Sequence, residues 1–322
     1  LSLGAQKGIL FKEAGHLETM ANVDTLVLDK TGTITIGKPE VIEVTEIKEF
    51  DINLLYSVLK SSKHPVALGV LNFIKSDDIK ENILDEYNQI ASSGIVAKYQ
   101  DKTLFGGNLK LMRENGIEIE YESDNTLFYY AIDDEVVAIY ELRDKIKENA
   151  KELVSNLQKR GIKTIMLTGD NDKTAQKVAV EVGIKEYISE QTPKDKSEFI
   201  EQLHHDKKVV VMVGDGVNDI LALAQSDIGI VMGSGSDIAV DVGDVVLLND
   251  TLNSLEDAFK ISATTYGLIK QNLGISLVYN SITVPLAIAG YVIPLVAAIS
   301  MSVSSLLVVG NSMRIRYKWN KG

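Results

Sequence analysis

The sequence predicts an α/β protein with a doubly wound parallel sheet, an inserted α+β domain and a C-terminal pair of membrane-spanning helices. Three observations predict this architecture. Short runs rich in Val and Ile alternate with amphipathic stretches, as in a sheet covered by helices on both faces. A segment with its own strand pattern, residues 43–139, interrupts this alternation. Near the end, residues 271–313 contain no Asp, Glu, Lys or Arg.

Five short apolar runs are the predicted strands of the parallel sheet. Each is rich in β-branched residues and too short to form a typical helix. The runs are residues 25–28, 164–167, 209–213, 228–231 and 245–248. Amphipathic stretches with capping signals separate them, which predicts helices at 148–159, 173–182 and 194–203.

The interrupting segment is long enough to form a domain of its own. Its predicted strands are residues 94–99, 103–105, 126–132 and 135–140, and its predicted helices are 53–61 and 67–74. The chain therefore divides into the start of an α/β domain (1–42), the insertion (43–139), the rest of the α/β domain (140–265), two membrane helices (266–313) and a short tail (314–322).

The uncharged stretch suits two membrane spans, because one span needs about 20 apolar residues. We place the connecting turn at residues 290–294. The tail carries Arg314, Arg316, Lys318 and Lys321, and positive flanks favour the cytoplasmic side. A hairpin returns the chain to the side on which it started, so the large N-terminal part is expected there too, with membrane lipid as a partner. The alternative is a buried helical hairpin of a water-soluble protein.

Composition excludes several classes of protein. The net charge of −12 argues against a nucleic-acid binder, since phosphate backbones attract basic surfaces. The 45% hydrophobic and 24% charged residues argue against a disordered chain. No Cys is present, so this sequence contains no disulfide and no thiolate metal site.

Polar residues follow the predicted strands where ligands gather in parallel sheets, at their carboxyl ends. Asp29-Lys30-Thr31 follows the first strand, Thr168-Gly169-Asp170 the second, and the GDGVND run at 214–219 the third. Lys196 lies on the helix between the last two. Each group alone is more typical of a turn or helix cap. Together they indicate a site for phosphoryl transfer, which needs carboxylates, cations and fixed donors.

The residue types suggest a division of roles at this site. Asp29 can attack phosphorus as a carboxylate nucleophile and form an acyl phosphate. Asp29 and Asp215, with a backbone carbonyl near Thr31, would hold Mg²⁺ through oxygen. Lys196 would balance charge. The remaining candidates are Thr168 with nearby backbone N–H groups for the phosphoryl oxygens, and Asn218 and Asp219 for orienting Mg²⁺-bound water and Lys196.

The motifs DKTGT, TGD and GDGVND, in this order, resemble the P-type ion-pumping ATPases, whose catalytic sheet is shared with the haloacid dehalogenase phosphatases. Those phosphatases commonly carry a second Asp two residues after the nucleophile, as general acid and base. This sequence has Thr31 there. Without that carboxylate, water attack on the acyl phosphate is poorly assisted. The resemblance therefore implies a durable phosphoenzyme, which suits a pump.

Motifs in the insertion resemble the nucleotide domain of the transition-metal branch of these pumps. Ser62-Lys63-His64-Pro65 is similar to its SEHP signature, although Lys63 replaces the usual Glu. Ser92 likewise replaces the first Gly of a glycine-rich stretch, and both departures affect the expected nucleotide affinity. The resemblance implies that ATP would be bound by an adenine pocket lined by His64, Gly94, Ile95, Gly107 and Asn108.

Two short motifs in the uncharged stretch resemble those of the copper(I) branch. Tyr279-Asn280 matches its YN signature, and Met301 with Ser304-Ser305 matches its MxxSS signature. A thioether is a soft ligand that suits Cu⁺, and polar groups within a span often mark an ion path. The alternative is that Met and Ser serve only helix packing.

The resemblance covers almost the whole chain but only the C-terminal half of such a pump. It implies ATP-driven copper(I) translocation in a multi-pass protein of the bacterial inner membrane, with cytoplasmic catalytic domains. The expected partners are the actuator domain, metal-binding domain and earlier spans of the pump, and a copper chaperone. Alone, the chain is expected to bind nucleotide and to form the acyl phosphate, but not to transport. The alternatives are a pump for another metal such as Zn²⁺, a membrane-tethered phosphatase and a non-catalytic binding module.

Overall fold

The structure is a computed structural model, and it describes residues 2–76, 78–90, 93–216, 218–233, 237–290 and 294–319. For residues 237–239, 294–297 and 316–319 only the backbone is described. The chain forms two compact units. The first unit contains residues 1–26, 161–163 and 197–322, and the second unit contains residues 27–160 and 164–196.

A mostly parallel sheet is the framework of the α/β domain. Within the described residues it has seven strands: β1 Ile9–Phe11, β2 Thr25–Asp29, β9 Lys163–Leu167, β10 Glu186–Ile188, β11 Val210–Gly214, β12 Ile228–Met232 and β13 Val245–Leu247. Their order is β1-β13-β12-β11-β2-β9-β10. The five predicted strands are confirmed with ends that differ by one residue at most. The sheet is not wholly parallel, because β1 runs antiparallel to β13 at one edge.

The insertion folds as an antiparallel sheet with its own helices. The strands are β3 Glu40–Glu46, β4 Glu86–Ile90, β5 Gly94–Tyr99, β6 Lys102–Gly107, β7 Thr126–Ile132 and β8 Glu135–Arg143, in the order β3-β8-β7-β6-β5-β4. The helices are α3 Ile52–Leu59, α4 Pro65–Ile74 and α5 Leu109–Glu114. The strands β3 and β4 were not predicted, because they are mostly exposed edge strands with few apolar residues.

Two apolar cores stabilise this sheet, one on each face. Side chains of α3 and α4 pack on one face around Leu55 and Tyr130. Leu111 and Met112 of α5 pack on the other face with Tyr129. Burial of apolar surface contributes about 25 cal/mol per Å² to the free energy of folding, so the packing on both faces stabilises the sheet. The insertion therefore has the cores expected of a folded domain.

The other described helices before residue 252 lie outside the insertion in the sequence. They are α1 Ser2–Gln6, α2 Gly15–Ala21, α6 Ala150–Lys159, α7 Asp172–Val182, α8 Pro193–His205, α9 Ile220–Gln225 and α10 Asp237–Val242. Asn171 caps α7 by accepting from the backbone N–H of Thr174, and Gly183 ends it with a positive φ. The predicted start of α6 at residue 148 is wrong. Asn149 has a left-handed backbone (φ 64°), so the helix begins only after it.

The C-terminal part of the first unit is a pair of long helices, α11 Leu252–Ile288 and α12 Pro294–Trp319. Hydrogen bonds join them, from Asn272 Nδ2 to Ser312 Oγ (2.8 Å) and between Tyr279 Oη and Ser300 Oγ (2.9 Å). Part of the predicted turn, residues 291–293, lies outside the described residues.

The sequence predicts two membrane spans in these helices. In the part of the chain that the structure describes, one helical segment is long and apolar enough to cross a membrane, Ala298–Ile315, with mean hydropathy 1.2. The polar residues of α11, among them Asn272 and Asn280, lower its hydropathy. Its first part also packs against protein, with Leu255 and Phe259 fully buried.

Candidate active site

A buried ion pair lies at the end of β2. All five positions of this strand are buried, and its last residue, Asp29, keeps only 4% of its surface exposed. Lys196 on α8 is equally buried and donates to Asp29 Oδ1 at 2.5 Å. Buried charges are costly unless they are paired, so this ion pair offsets part of the desolvation cost of both residues. The predicted nucleophile and the predicted charge-balancing lysine therefore meet in the second unit.

The loop after Asp29 brings a second predicted motif to the same place. Gly32 has a left-handed backbone (φ 73°), which turns the chain sharply after Thr31. The buried Lys30 forms an ion pair with Asp170 of the TGD loop. The first and second predicted groups are thus joined by a direct contact between charged side chains, and Thr31 lies half-buried within the turn.

The TGD loop packs closely against the segment that contains Gln191. Thr168 is buried at the end of β9, and its Oγ1 accepts the backbone N–H of Asp170 at 3.1 Å. A Cβ on Gly169 would lie 3.3 Å from the carbonyl oxygen of Gln191. This loop is therefore compact, with its polar groups at the end of the strand beside β2.

Two residues that the sequence reasoning missed hold the loop after Asp29. Lys147 is buried, and its Nζ donates to the carbonyl oxygen of Gly32 at 2.8 Å. The Asp144 carboxylate accepts from Thr35 Oγ1 (2.5 Å) and from the backbone N–H of Gly37 (3.1 Å). The available signal was the charged run DKIK, which follows β8 where the chain returns from the insertion to the α/β domain.

The third predicted group lies in the first unit, after β11. Asp219 is buried against this strand, and a Cβ on Gly214 would be 2.6 Å from Asp219 Oδ2, so only glycine fits there. Asp215 is half-buried and Asn218 is exposed, while Val217 lies outside the described residues. In the described part of the chain, no group of three or more His, Cys, Asp or Glu side chains could hold a metal ion.

His64, the first predicted nucleotide residue, caps α4. Its Nδ1 accepts the backbone N–H of Val66 at 3.3 Å, and its ring keeps contact with solvent. The protein around it lowers the pKa of His64 through desolvation, and the negative charge of Asp170 opposes this shift. His64 therefore lies within electrostatic reach of the TGD loop. The neighbouring Lys63 is exposed.

The other predicted nucleotide-binding residues have structural roles in β5, in β6 and at the start of α5. Gly94 and Gly107 are paired across β5 and β6, and a Cβ on either would lie 2.3 Å from a backbone carbonyl oxygen. Ile95 belongs to a buried core, and Asn108 Oδ1 caps α5 by accepting from the N–H of Leu111 at 3.1 Å. Ser92 lies outside the described residues. Adenine contact by these residues stays a prediction.

The predicted copper residues are only partly brought together. Ser305 Oγ donates to the carbonyl oxygen of Met301 at 3.0 Å, so these two residues share one face of α12. Met301 is 67% exposed, Asn280 is exposed and Ser304 is half-buried. Tyr279 instead contacts Ser300, a residue that the sequence reasoning did not select.

Comparison with known proteins identifies the family. The family model of the haloacid dehalogenase-like hydrolases matches residues 23–227, which include the Asp29–Lys196 pair and the loops after β2 and β9. The chain belongs to the haloacid dehalogenase-like hydrolases. In this chain the strands β3–β8 lie between β2 and β9 in the element order.

Curated relatives of this haloacid dehalogenase-like protein are P-type ATPases. The chain is 37% identical over 321 residues to the copper-exporting P-type ATPase of Staphylococcus haemolyticus, covering 97% of this chain and 40% of the relative. It is 35% identical over 325 residues to the copper-exporting P-type ATPase of Bacillus subtilis, again covering 97% of this chain and 40% of the relative. The predicted resemblance is confirmed, and the chain spans less than half the length of these relatives.

Solved structures confirm the predicted fold class. A zinc-transporting PIB-type ATPase in the E2.Pi state matches with TM-score 0.71 at 27% identity, covering 98% of this chain and 53% of that chain. The catalytic domain of the CPx-ATPase CopB-B matches with TM-score 0.68 at 30% identity, covering 80% of this chain and 96% of that chain.

Proposed function

We propose that this chain is the phosphorylating portion of an ATP-driven copper(I) pump, and that Asp29 accepts the γ-phosphoryl group of ATP. The observation that carries the proposal is the buried Asp29–Lys196 pair beside the Lys30–Asp170 pair at the end of β2. A carboxylate surrounded by fixed cations is suited to react with an anionic phosphoryl group, because the cations offset the charge that accumulates in the transition state.

The proposed step is a phosphoryl transfer from ATP to the carboxylate of Asp29. A carboxylate oxygen of Asp29 forms a bond to the γ-phosphorus, and the bond from that phosphorus to the β–γ bridging oxygen breaks. The electron pair leaves with ADP, and Asp29 becomes an acyl phosphate. Lys196 and Lys30 stabilise charge on the transferring group, while Thr168 and the backbone N–H groups of Gly169 and Asp170 bind its oxygens. Asn218 and Asp219 are assigned to orienting water and Lys196.

ATP and Mg²⁺ are the proposed cofactors. The donors at the end of β2 are oxygen atoms, from the Asp29 carboxylate and the Thr31 peptide, and oxygen is the ligand that Mg²⁺ prefers. With Asp215 they would hold the ion, which would offset phosphate charge when bound. His64, Gly94, Ile95, Gly107 and Asn108 are the proposed adenine-binding residues.

Acid-quench labelling tests the phosphorylation step. The chain in detergent is incubated with γ-labelled ATP and Mg²⁺ and then quenched in acid, which preserves acyl phosphates. We expect label on the protein, and none on Asp29→Asn. Asp250→Asn, in the loop before α11, is the matched control and should label normally. Absence of label on the unaltered chain would contradict the proposal, and rapid release of phosphate from small phosphomonoesters would favour a phosphatase.

Copper(I) is the proposed cargo of the whole pump, bound by Tyr279, Asn280, Met301, Ser304 and Ser305. The support is the match of 97% of the chain to copper-exporting relatives. Zinc is the second candidate, because the solved structure of a zinc-transporting relative matches 98% of this chain. Activation of ATP hydrolysis in the longer protein by Cu⁺ but not Zn²⁺ would distinguish the two.

The proposed location is a bacterial inner membrane, crossed several times, with the catalytic domains on the cytoplasmic side. The copper export in the names of the relatives and the apolar segment Ala298–Ile315 support this location. Lipid, the actuator and metal-binding domains, the earlier spans and a copper chaperone are the proposed partners.

A further inference from the structure

An extended segment of the insertion, residues 117–125, crosses one face of the six-stranded sheet. We call this segment the strap. Its sequence, IEIEYESDN, alternates between two sides. Ile117, Ile119 and Tyr121 pack into the core of that face. The intervening acidic residues of the strap, Glu118, Glu120, Glu122 and Asp124, are exposed. The strap is therefore packed on one side and presents carboxylates on the other.

A buried carboxylate anchors the strap to β8. Glu141 is 7% exposed and lies two residues after Ile139, so it points to the same face of the sheet. It accepts hydrogen bonds from Tyr121 Oη (2.7 Å), Ser123 Oγ (2.6 Å) and Asn125 Nδ2 (3.0 Å). Burial favours the neutral acid, but the three donors outweigh it and lower the pKa of Glu141.

The outer side of the strap contacts α7. Lys173 Nζ lies 3.3 Å from Glu122 Oε2, and Lys177 Nζ lies 3.3 Å from Asn125 Oδ1. The buried Thr174 donates its hydroxyl to the carbonyl oxygen of Asp124 at 3.4 Å. These contacts fall on the first two turns of α7. That helix begins directly after the TGD loop, whose Asp170 pairs with Lys30.

We infer that Glu141 is a positioning residue, which acts through the strap to dock the six-stranded sheet against α7. This inference rests on the proposed function. A nucleotide held by that sheet must present its terminal phosphate to Asp29. The strap is a polar connection between the sheet and the helix that follows the TGD loop, beside the ion pair of Arg143 on β8 with Glu181 on α7 (3.8 Å). Glu141 fixes alternate residues of the strap from inside, while α7 contacts the same stretch from outside.

The inference separates two measurable quantities. Nucleotide affinity depends on the sheet itself, whereas the labelling rate of Asp29 depends on how the sheet is docked. In Glu141→Ala we expect the labelling rate at saturating MgATP to fall about tenfold, because small displacements of reacting groups are costly. The dissociation constant for MgATP should change by less than about twofold. Equal losses in rate and affinity, or an unchanged rate, would overturn the inference.

Variants on both sides of the strap make the test specific. Tyr121→Phe with Ser123→Ala removes two donors without emptying the carboxylate site, and it replaces Glu141→Ala if that variant does not fold. Lys173→Ala with Lys177→Ala removes contacts from the α7 side and should give the same split between rate and affinity. Lys110→Ala, which removes an exposed lysine from α5, is the control and should change neither quantity.

Amide hydrogen exchange tests the docking of the sheet against α7 independently of phosphorylation. In Glu141→Ala, amides of the strap and of the first turns of α7 should exchange faster, while those of β5 and β6 keep their protection. Unchanged exchange in α7 would overturn the inference even if labelling occurs. Failure of the unaltered chain to label would count against the proposed function alone.

Discussion

Lys196 forms an ion pair with the candidate nucleophile Asp29, and both charges are almost completely buried. An ion pair of this kind is costly to break from one side, because the remaining charge keeps its desolvation penalty. The pair therefore couples catalysis to stability: the cation that would offset phosphoryl charge also allows Asp29 to be buried as a carboxylate.

Lys196→Ala should affect both properties. We expect the labelling rate to fall about a hundredfold, as when one fixed electrostatic group is lost. The free energy of unfolding should fall by about 3 kcal/mol, measured by urea denaturation. Lys194→Ala, an exposed neighbour on α8, is the control. The combination Asp29→Asn/Lys196→Met should recover part of the lost stability, and a double variant less stable than Lys196→Ala would contradict the coupling.

The lowered pKa of Glu141 predicts how the free energy of unfolding changes in acid. Its folded-state pKa is lowered below 4.5, so its stabilising contribution is complete above pH 4.5 and is lost as pH falls through the lower folded-state value. The difference in unfolding free energy between the unaltered chain and Glu141→Gln should therefore be largest near neutral pH and shrink in acid. Glu120→Gln, on the exposed side of the strap, is the control. A difference that grows in acid would contradict this assignment.

At the scale of elements, the β5–β6 pair shows how a motif can serve structure. Gly94 and Gly107 face each other across the two strands, and neighbouring carbonyl oxygens leave no room for a Cβ. Gly94 also has a positive φ (148°). The close approach of the two strand backbones is therefore enough to require these glycines, which resemble a nucleotide signature. A nucleotide lying against the same stretch of backbone is compatible with this requirement.

Substitution of Gly107 tests this requirement. Gly107→Ala should destabilise the chain by about 1–3 kcal/mol, because the added methyl group has to displace backbone. Gly267→Ala, in α11 with no atom within 4 Å of the added Cβ, should be neutral or stabilising by about 0.5–1 kcal/mol. Thermal unfolding measures both. If Gly107→Ala were as stable as the unaltered chain, the described backbone approach would be wrong.

The helix pair shows a second element-scale feature. Hydrogen bonds at Tyr279–Ser300 and at Asn272–Ser312 lie on either side of the segment of α12 that contains Met301 and Ser305. Interhelical polar contacts of this kind contribute about 0.6–2 kcal/mol each in membranes. They fix the register of the two helices, and this register leaves Met301 exposed rather than in contact with Tyr279.

At the scale of the whole molecule, the exposed Met301 belongs to the MxxSS motif by which this chain resembles the longer copper pumps. In the longer protein, Met301→Ala should lower the amount of bound Cu⁺ by about one ion per protein if this thioether is a ligand. Met313→Ala is the matched control, since it is also exposed on α12 but lies outside the MxxSS motif. Copper stoichiometry measured under reducing conditions decides the outcome, and unchanged binding would count against the copper assignment.

Local sequence determined the strands of the parallel sheet and the chemical character of the loops that follow them. Apolar runs of β-branched residues indicate buried strands, and Asp29 and Asp170 were recognisable because their motifs follow such runs. Lys196 was recognisable from its predicted helix between the TGD and GDGVND motifs. Strand order decides which loops become neighbours, and the pairing of Asp29 with Lys196 joins residues far apart in sequence.

Only the tertiary structure decided the contacts that hold the site in place. Lys147 and Asp144 fix the loop after Asp29, and Glu141 anchors the strap, yet each is an ordinary charged residue in its own stretch of sequence. Edge strands such as β3 and β1 also depend on partners distant in the chain. Their roles arise from burial and from donors supplied by other elements, and periodicity along the chain does not carry that information.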